Sequence, residues 1–321
     1  MDKKEIVESL IDTFLYAGKV CLELRDKGLI KKIKSDNTPV SNGDLEVNKI
    51  VTEKIKEITP HLPIVSEETA DNKSINDLKD FWLVDPIDGT YDYINNLEEF
   101  TINAGLIINK KPAAGLIYAP SKKRMFYSYG ENNAYEIVND KKIQLDCSKN
   151  LKKDEIKFVS YSNKIKPEIE QIHKKLNVKK FVRMKSSLKF CVIAAGEYDG
   201  YIAEPRACEW DIAAGHAIFK HAGGIITDFE GNEILYGKKN FKKDEIKFVS
   251  YSNKIKPEIE QIHKKLNVKK FVKMKSSLKF CVIAAGEYDG YVAEPRACEW
   301  DIAAGHAILK HAGGNVTDFN G

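Results

Sequence analysis

Eighty residues of this chain occur twice. Residues 152–231 return as 242–321 at an offset of 90, with six differences: Arg183/Lys273, Ile202/Val292, Phe219/Leu309, Ile225/Asn315, Ile226/Val316 and Glu230/Asn320. Two copies of near-identical, half-domain size are not a solenoid, whose repeats are short, diverged and stacked in series. They read as a tandem duplication of a C-terminal segment. The joint agrees, since "KNLKKDEIK" at 149–157 and "KNFKKDEIK" at 239–247 are near-equivalent places to splice. The fold therefore has one N-terminal part and two equal claimants to complete it. At 321 residues and 43% apolar content the chain can build a full core, in one large or two ordinary domains.

Periodicity supplies the elements. Ile6, Val7, Leu10, Ile11, Phe14, Leu15, Gly18 and Leu22 recur at helical spacing over 4–27. Residues 42–58 predict a second amphipathic helix, with Ser41 as N-cap and Asp44 three residues on. "LPIVSEE" and "DFWLVDP" are short apolar runs that deliver acids from strand ends. "FTINAGLIIN", "AAGLIYAP" and "RMFYSYG" predict successive antiparallel strands. From 154 the pattern becomes strand, helix, strand, helix, through "IKFVSYS", "PEIEQIHKKL", "KKFVRM" and "SSLKFCVIAAG". A strand near "GYIAE", a helix over 211–222 ended by Gly223-Gly224, and the strand "GIITDF" follow. These read as an α+β domain over 1–145 and an α/β domain over 146–240 sharing a cleft, with 241–321 a surplus duplicate.

Several classes are disfavoured. Residues 241–321 carry 14 of the 51 Lys+Arg and 10 of the 47 Asp+Glu, so the first 240 residues are neutral and the net +4 comes from the tail. Nucleic-acid binding through a basic face is not indicated. The six cysteines (Cys21, Cys147, Cys191, Cys208, Cys281, Cys298) form no CxxC and read as inert thiols. No signal core and no run of 18 apolar residues is present, which predicts a soluble cytoplasmic protein without a transmembrane segment.

The strongest chemical signal is "WLVDPIDGT" at 82–90. A buried strand ends in Asp85, Pro86 stiffens the turn, and Asp88 follows at a spacing that lets both carboxylates converge. Gly89 and Thr90 open a helix whose N–H groups suit a phosphate. Paired acids beside an anion nest need a cation between them, and oxygen-only ligands suit Mg²⁺. "SEE" adds Glu67 and Glu68 after another short strand. Asp44, as the N3 acid of a capped helix, needs no catalytic role on that ground alone. In "EWDIAAGHAI", Trp210 anchors a turn, Asp211 sits at a helix N-terminus, and His216 reads as packing. No HExxH, Cys/His metal spacing, GxSxG or Walker loop occurs.

Together these motifs resemble the inositol monophosphatase superfamily of Mg²⁺-dependent, Li⁺-sensitive phosphatases, over roughly residues 1–240. Within it, "DNTPVSNGD", "VSEE", "EFTINAGLI", "GLIYAP" and "SSLKFC" look most like the 3'(2'),5'-bisphosphate nucleotidases, which hydrolyse adenosine 3',5'-bisphosphate (PAP), a by-product of sulfate activation and sulfotransfer. The resemblance implies a layered αβαβα fold. It implies one Mg²⁺ on Glu67, Asp85 and the Ile87 carbonyl, a second on Asp85, Asp88 and Asp211, and a third, weaker ion near Glu67. Thr90, oriented by Asp44, would deprotonate the attacking water. Gly89 and Thr90 would bind phosphate, and Lys189 and Ser186 would face the nucleotide. One departure stands out. Ala203 falls where the nucleotidases carry an arginine, and Glu204 falls where inositol phosphatases place an acid for sugar hydroxyls, with Asp211 alongside as a substrate contact. The alternatives are thus an inositol or sugar monophosphatase, and an inactive product of duplication.

One site is expected, built by the first copy. The second brings Trp300 and Asp301 but no "DPIDGT", Glu67 or Asp44 of its own. Reaching the single N-terminal half from there closes a much longer loop, at roughly 2–3 kcal/mol more. Asn315 in place of Ile225, unpaired in a core strand, would add about 1–3 kcal/mol. The stretch "DEIKFVSY" at 244–251 is the exception, expected to pair as a final strand on the first domain's sheet.

Overall fold

The computed structural model describes residues 2–34, 38–69, 78–147, 156–162, 165, 167–202, 207–228, 232–237, 248–251, 307–308, 310 and 312. The chain divides into a compact unit Met1–Leu266 and a second, Asn267–Gly321. Everything below concerns the first.

Two long helices open it, α1 (Lys3–Lys27) and α2 (Asn42–Ile58), joined by a short antiparallel hairpin of β1 (Lys31–Ile33) and β2 (Pro39–Ser41). Seven strands form the central sheet. They are β3 (Ile64–Ser66), β4 (Phe81–Asp88), β5 (Thr101–Ile108), β6 (Lys111–Ala119), β7 (Arg124–Gly130), β8 (Asn133–Val138) and β9 (Lys141–Gln144), in spatial order of sequence. Only β3–β4 is parallel; the rest is an antiparallel meander. The sequence pattern did not mark β8 and β9, which carry polar, partly exposed positions at the far edge.

Side-chain alternation explains why the strands read as continuous apolar runs. On one face Trp82, Val84, Ile102, Ala104, Leu106, Leu116, Met125 and Tyr127 pack with α1 and α2. On the other, Phe81, Leu83, Ile107, Ile117 and Phe126 pack with α5 (Leu188–Ala194) and α6 (Glu209–His221). Both faces are covered, so both parities must be apolar.

Beyond α5 and α6 lies a five-stranded sheet in the order β11-β10-β12-β14-β13. Its strands are β10 (Ile156–Ser160), β11 (Val178–Arg183), β12 (Gly200–Ile202), β13 (Ile225–Asp228) and β14 (Phe248–Tyr251). Helix α4 (Pro167–Lys175) packs on its outer face through Phe158, Ile169, Leu176 and Ile202. The layers run helix, sheet, helix, sheet, helix, as the sequence resemblance implied.

Strand β14 comes from the second copy. It lies antiparallel between β12 and β13, pairing Gly200 with Tyr251 and Ile225 with Tyr251. The sheet it completes is the five-stranded one of the first copy. Among the described residues no helix is long and apolar enough to cross a membrane.

Candidate active site

The site is built where β4 stops being a strand. Asp85 still pairs with Asn103 of β5, the register then shifts, and Asp88 pairs with Thr101. Pro86 and Ile87 thereby stand opposite the single residue Ile102, and both carboxylates lie at the sheet's end. Gly89 follows at φ +97, where an L side chain is strained, and its absent Cβ would meet the Glu99 carbonyl at 2.7 Å. That turn launches α3 (Thr90–Ile94) from Thr90.

Asp44 has two functions at once. Its Oδ2 accepts from the Ser41 amide at 2.8 Å and the Ser41 hydroxyl at 2.6 Å, which is the helix cap read from the sequence. Its Oδ1 accepts from Thr90 Oγ1 at 3.1 Å, and the same hydroxyl lies 3.0 Å from the Ile87 carbonyl. Burial raises the Asp44 carboxyl, and the bonds from Ser41 and Thr90 restrain that rise.

Asp85 is buried, and its Oδ1 has no hydrogen-bond partner. Burial pushes its carboxyl well above the usual range, and the charges of Glu67, Asp88 and Asp211 push it further. Asp211, at the third position of α6, caps that helix through Oδ2 to the Cys208 amide at 2.7 Å. It too is raised well above normal, by burial and then by Asp88 and Glu67. Four carboxylates from three elements therefore lie near enough for their charges to act on one another. A buried set of like charges is unstable unless protonated or neutralised by a cation.

Part of that neutralisation comes from Lys34, which sequence reasoning did not single out. Its ammonium lies 3.2 Å from Glu67 Oε1 and 2.7 Å from Glu68 Oε1. Burial alone would lower the Lys34 pKa, but the two glutamates raise it overall. Glu67 is the member of the pair that acts on the carboxylate cluster, since its charge raises the Asp85 and Asp211 carboxyls. As they stand, no three His, Cys, Asp or Glu side chains among the described residues are gathered closely enough to hold one ion. Lys34 holds Glu67, Ser187 holds Asp88 and the Cys208 amide holds Asp211. The orphaned Asp85 oxygen at their centre, with hard oxygen donors around it, is what fits a small divalent cation.

Ser186 donates to Glu99 Oε1 at 3.2 Å, while Ser187 reaches Asp88. Lys189 is buried and gives two of its three N–H groups to the carbonyls of Lys185 (3.2 Å) and Ser186 (2.9 Å). Lys185 pairs with Asp92 at 2.6 Å and lies 4.8 Å from the Tyr91 ring centroid. His216 is a core residue bonded to Tyr236 at 2.9 Å, and Trp210 is buried with it. Ala203, Glu204, Trp300 and Asp301 lie outside the described residues.

The family profile "Inositol monophosphatase family" matches residues 2–245 and again 242–321. The chain belongs to the inositol monophosphatase family. Among its relatives, the 3'(2'),5'-bisphosphate nucleotidase CysQ of Salmonella typhimurium is 33% identical over 236 residues, covering 72% of this chain and 94% of that protein. The CysQ of Buchnera aphidicola is 35% identical over 237 residues, covering 73% and 88%. The crystal structure of CysQ from Bacteroides thetaiotaomicron superposes with a TM-score of 0.61 at 27% identity, covering 76% of this chain and 96% of its own. A Mg²⁺- and phosphate-bound IMPase/NADP phosphatase, at 17% identity and a TM-score of 0.67, shares the fold over 82% of this chain and 96% of its own. The protein is a phosphatase of this family.

Proposed function

We propose that the chain hydrolyses adenosine 3',5'-bisphosphate to AMP and phosphate with Mg²⁺. The observation that carries the metal half is Asp85, a buried carboxylate with an unpartnered oxygen amid Glu67, Asp88 and Asp211. The nucleotide half is supported by the CysQ relatives, at about a third identity over most of their length.

Glu67, Asp85 and the Ile87 carbonyl would hold one Mg²⁺, and Asp85, Asp88 and Asp211 a second; a weaker third ion near Glu67 would have to displace Lys34. When bound, the ions polarise the phosphoryl oxygens and lower the pKa of water. The protein supplies the rest. Thr90, fixed by Asp44 and Ile87, takes the water's proton at Oγ1 as its own passes toward Asp44 Oδ1. The N–H groups of Gly89 and Thr90 receive phosphate oxygens. Ser186 and Lys189 line the nucleotide side. Lys189 contributes there by fixing the 185–186 carbonyls and through its remaining N–H.

The test is phosphate release from PAP, inositol 1-phosphate and a sugar monophosphate, with Mg²⁺ and with EDTA. PAP should be turned over best, EDTA should abolish turnover, and Asp85→Asn should cost several orders of magnitude. Faster turnover of inositol 1-phosphate would assign the chain to the sugar-phosphate branch, with Glu204 the residue to examine. Full activity in EDTA, or in Asp85→Asn, would remove the mechanism.

A further inference from the structure

One polar contact ties the two halves of the site together, and the sequence marked only its Asp88 end. Ser187 stands at the start of α5 and is fully buried. Its amide and its hydroxyl both reach Asp88 Oδ2, the hydroxyl at 2.6 Å. The hydroxyl also lies 2.7 Å from the main-chain carbonyl of Asp211. Asn103 Nδ2, from β5, donates to the same hydroxyl at 3.0 Å. Asn103 is the cross-strand partner of Asp85 and equally buried.

A serine hydroxyl has one proton to give and two lone pairs to receive with. The Asn103 amide fills one lone pair. The Ser187 proton then goes to the stronger acceptor, the Asp88 carboxylate, in preference to the Asp211 carbonyl. Asp88 Oδ2 thus takes two donors from one residue. Its other oxygen takes no protein hydrogen bond among the described residues.

We propose that Ser187, oriented by Asn103, is a positioning residue for metal binding. It pins one oxygen of Asp88 so that the other stays aimed at the ion, and it holds that carboxylate against the first turn of the helix carrying Asp211. A purely architectural serine would have no reason to place both its donors on one oxygen of a site carboxylate.

The inference rests on the metal site proposed above, so its test reads ion binding without substrate. Tb³⁺, a luminescent hard cation, is titrated into the full-length protein, with Mg²⁺ as competitor, alongside thermal melting and the Mg²⁺ dependence of phosphate release. Ser187→Ala keeps the volume and the amide but loses the hydroxyl. Tb³⁺ and Mg²⁺ affinity should fall roughly 10- to 100-fold, the usual effect of removing a hydrogen-bonding partner of a ligand. The melting temperature should change little, and saturating Mg²⁺ should recover most of kcat. Asn103→Ala should weaken binding by a smaller factor. The double variant should be no weaker than Ser187→Ala, because Asn103 acts only through the serine. Ion affinity within twofold of the parent in Ser187→Ala would overturn the proposal, as would additive losses in the double variant. If no substrate is hydrolysed yet Tb³⁺ affinity falls as stated, the nucleotidase reading fails and the positioning role stands.

Discussion

Two glycines form the floor beneath Asp211, and replacing one should move the carboxylate. Gly105 of β5 and Gly115 of β6 are cross-strand partners, both facing α6 at Ala213 and Ala214. A Cβ at Gly115 would lie 2.4 Å from the Ala214 carbonyl oxygen and 3.1 Å from its carbonyl carbon. Cβ contacts below 3.0 Å are essentially never adopted, so helix and sheet must part by ~0.6 Å or more. Both atoms that must yield belong to backbone, so no rotamer relieves the clash. Overpacking of this kind costs about 1–3 kcal/mol, or roughly 2–10 °C of Tm for a domain of this size. Asp211 lies one turn before Ala214 on the same rigid helix, and an ångström of misplacement at a reacting centre costs about a hundredfold. Gly115→Ala should therefore melt lower and lose roughly ten- to a hundredfold in metal-dependent phosphate release. Gly130→Ala, where a Cβ meets nothing within 4 Å, is the control. Scanning calorimetry and a Mg²⁺ titration of phosphate release read the two effects. Full activity with an unchanged Tm in Gly115→Ala would show that α6 does not need this close approach.

Asp211→Asn should abolish activity while Asp301→Asn leaves it intact; the reverse would show that the second copy has displaced the first, and partial loss in both that two arrangements coexist. Val249→Pro should lower Tm by several degrees, because a central strand has no place for a residue without an N–H; an unchanged Tm would remove β14 from the sheet. Burial lowers His216 to about 3 and His221 to about 4, so both fold as neutral rings. Their contribution to stability is full above the unfolded value of about 6.5 and is lost as pH falls through about 4 and then 3. Tm measured from pH 7.5 to 4.5 should fall less steeply in His221→Gln than in the parent, and identical slopes would refute the assignment.

What the sequence determined by itself is whatever rests on local chemistry. The Ser41–Asp44 cap is a bond between residues three apart, so the letters suffice to place it. The run "WLVDPIDGT" encodes its own strand, stiff turn and left-handed glycine, and the four carboxylates were legible because each sits at the end of an element that periodicity reveals. Tertiary structure decided the contacts between residues far apart in sequence. It selected Ser187 over its neighbour Ser186 for Asp88, and placed Lys34 on Glu67. It set the two strand glycines under α6, where spacing alone could show only a glycine inside a strand. The duplicated strand makes the limit plain. The four residues "FVSY" occur at 158–161 and 248–251. In the first copy Phe158 and Val159 run parallel to β12, pairing with Gly200 and Tyr201. In the second, the same four residues lie along the opposite edge of β12 and run antiparallel to it. Strand pairing is made by backbone groups that every residue carries, so identical sequences can take either direction. The vacancy left between β12 and β13 by the rest of the fold determines which one forms.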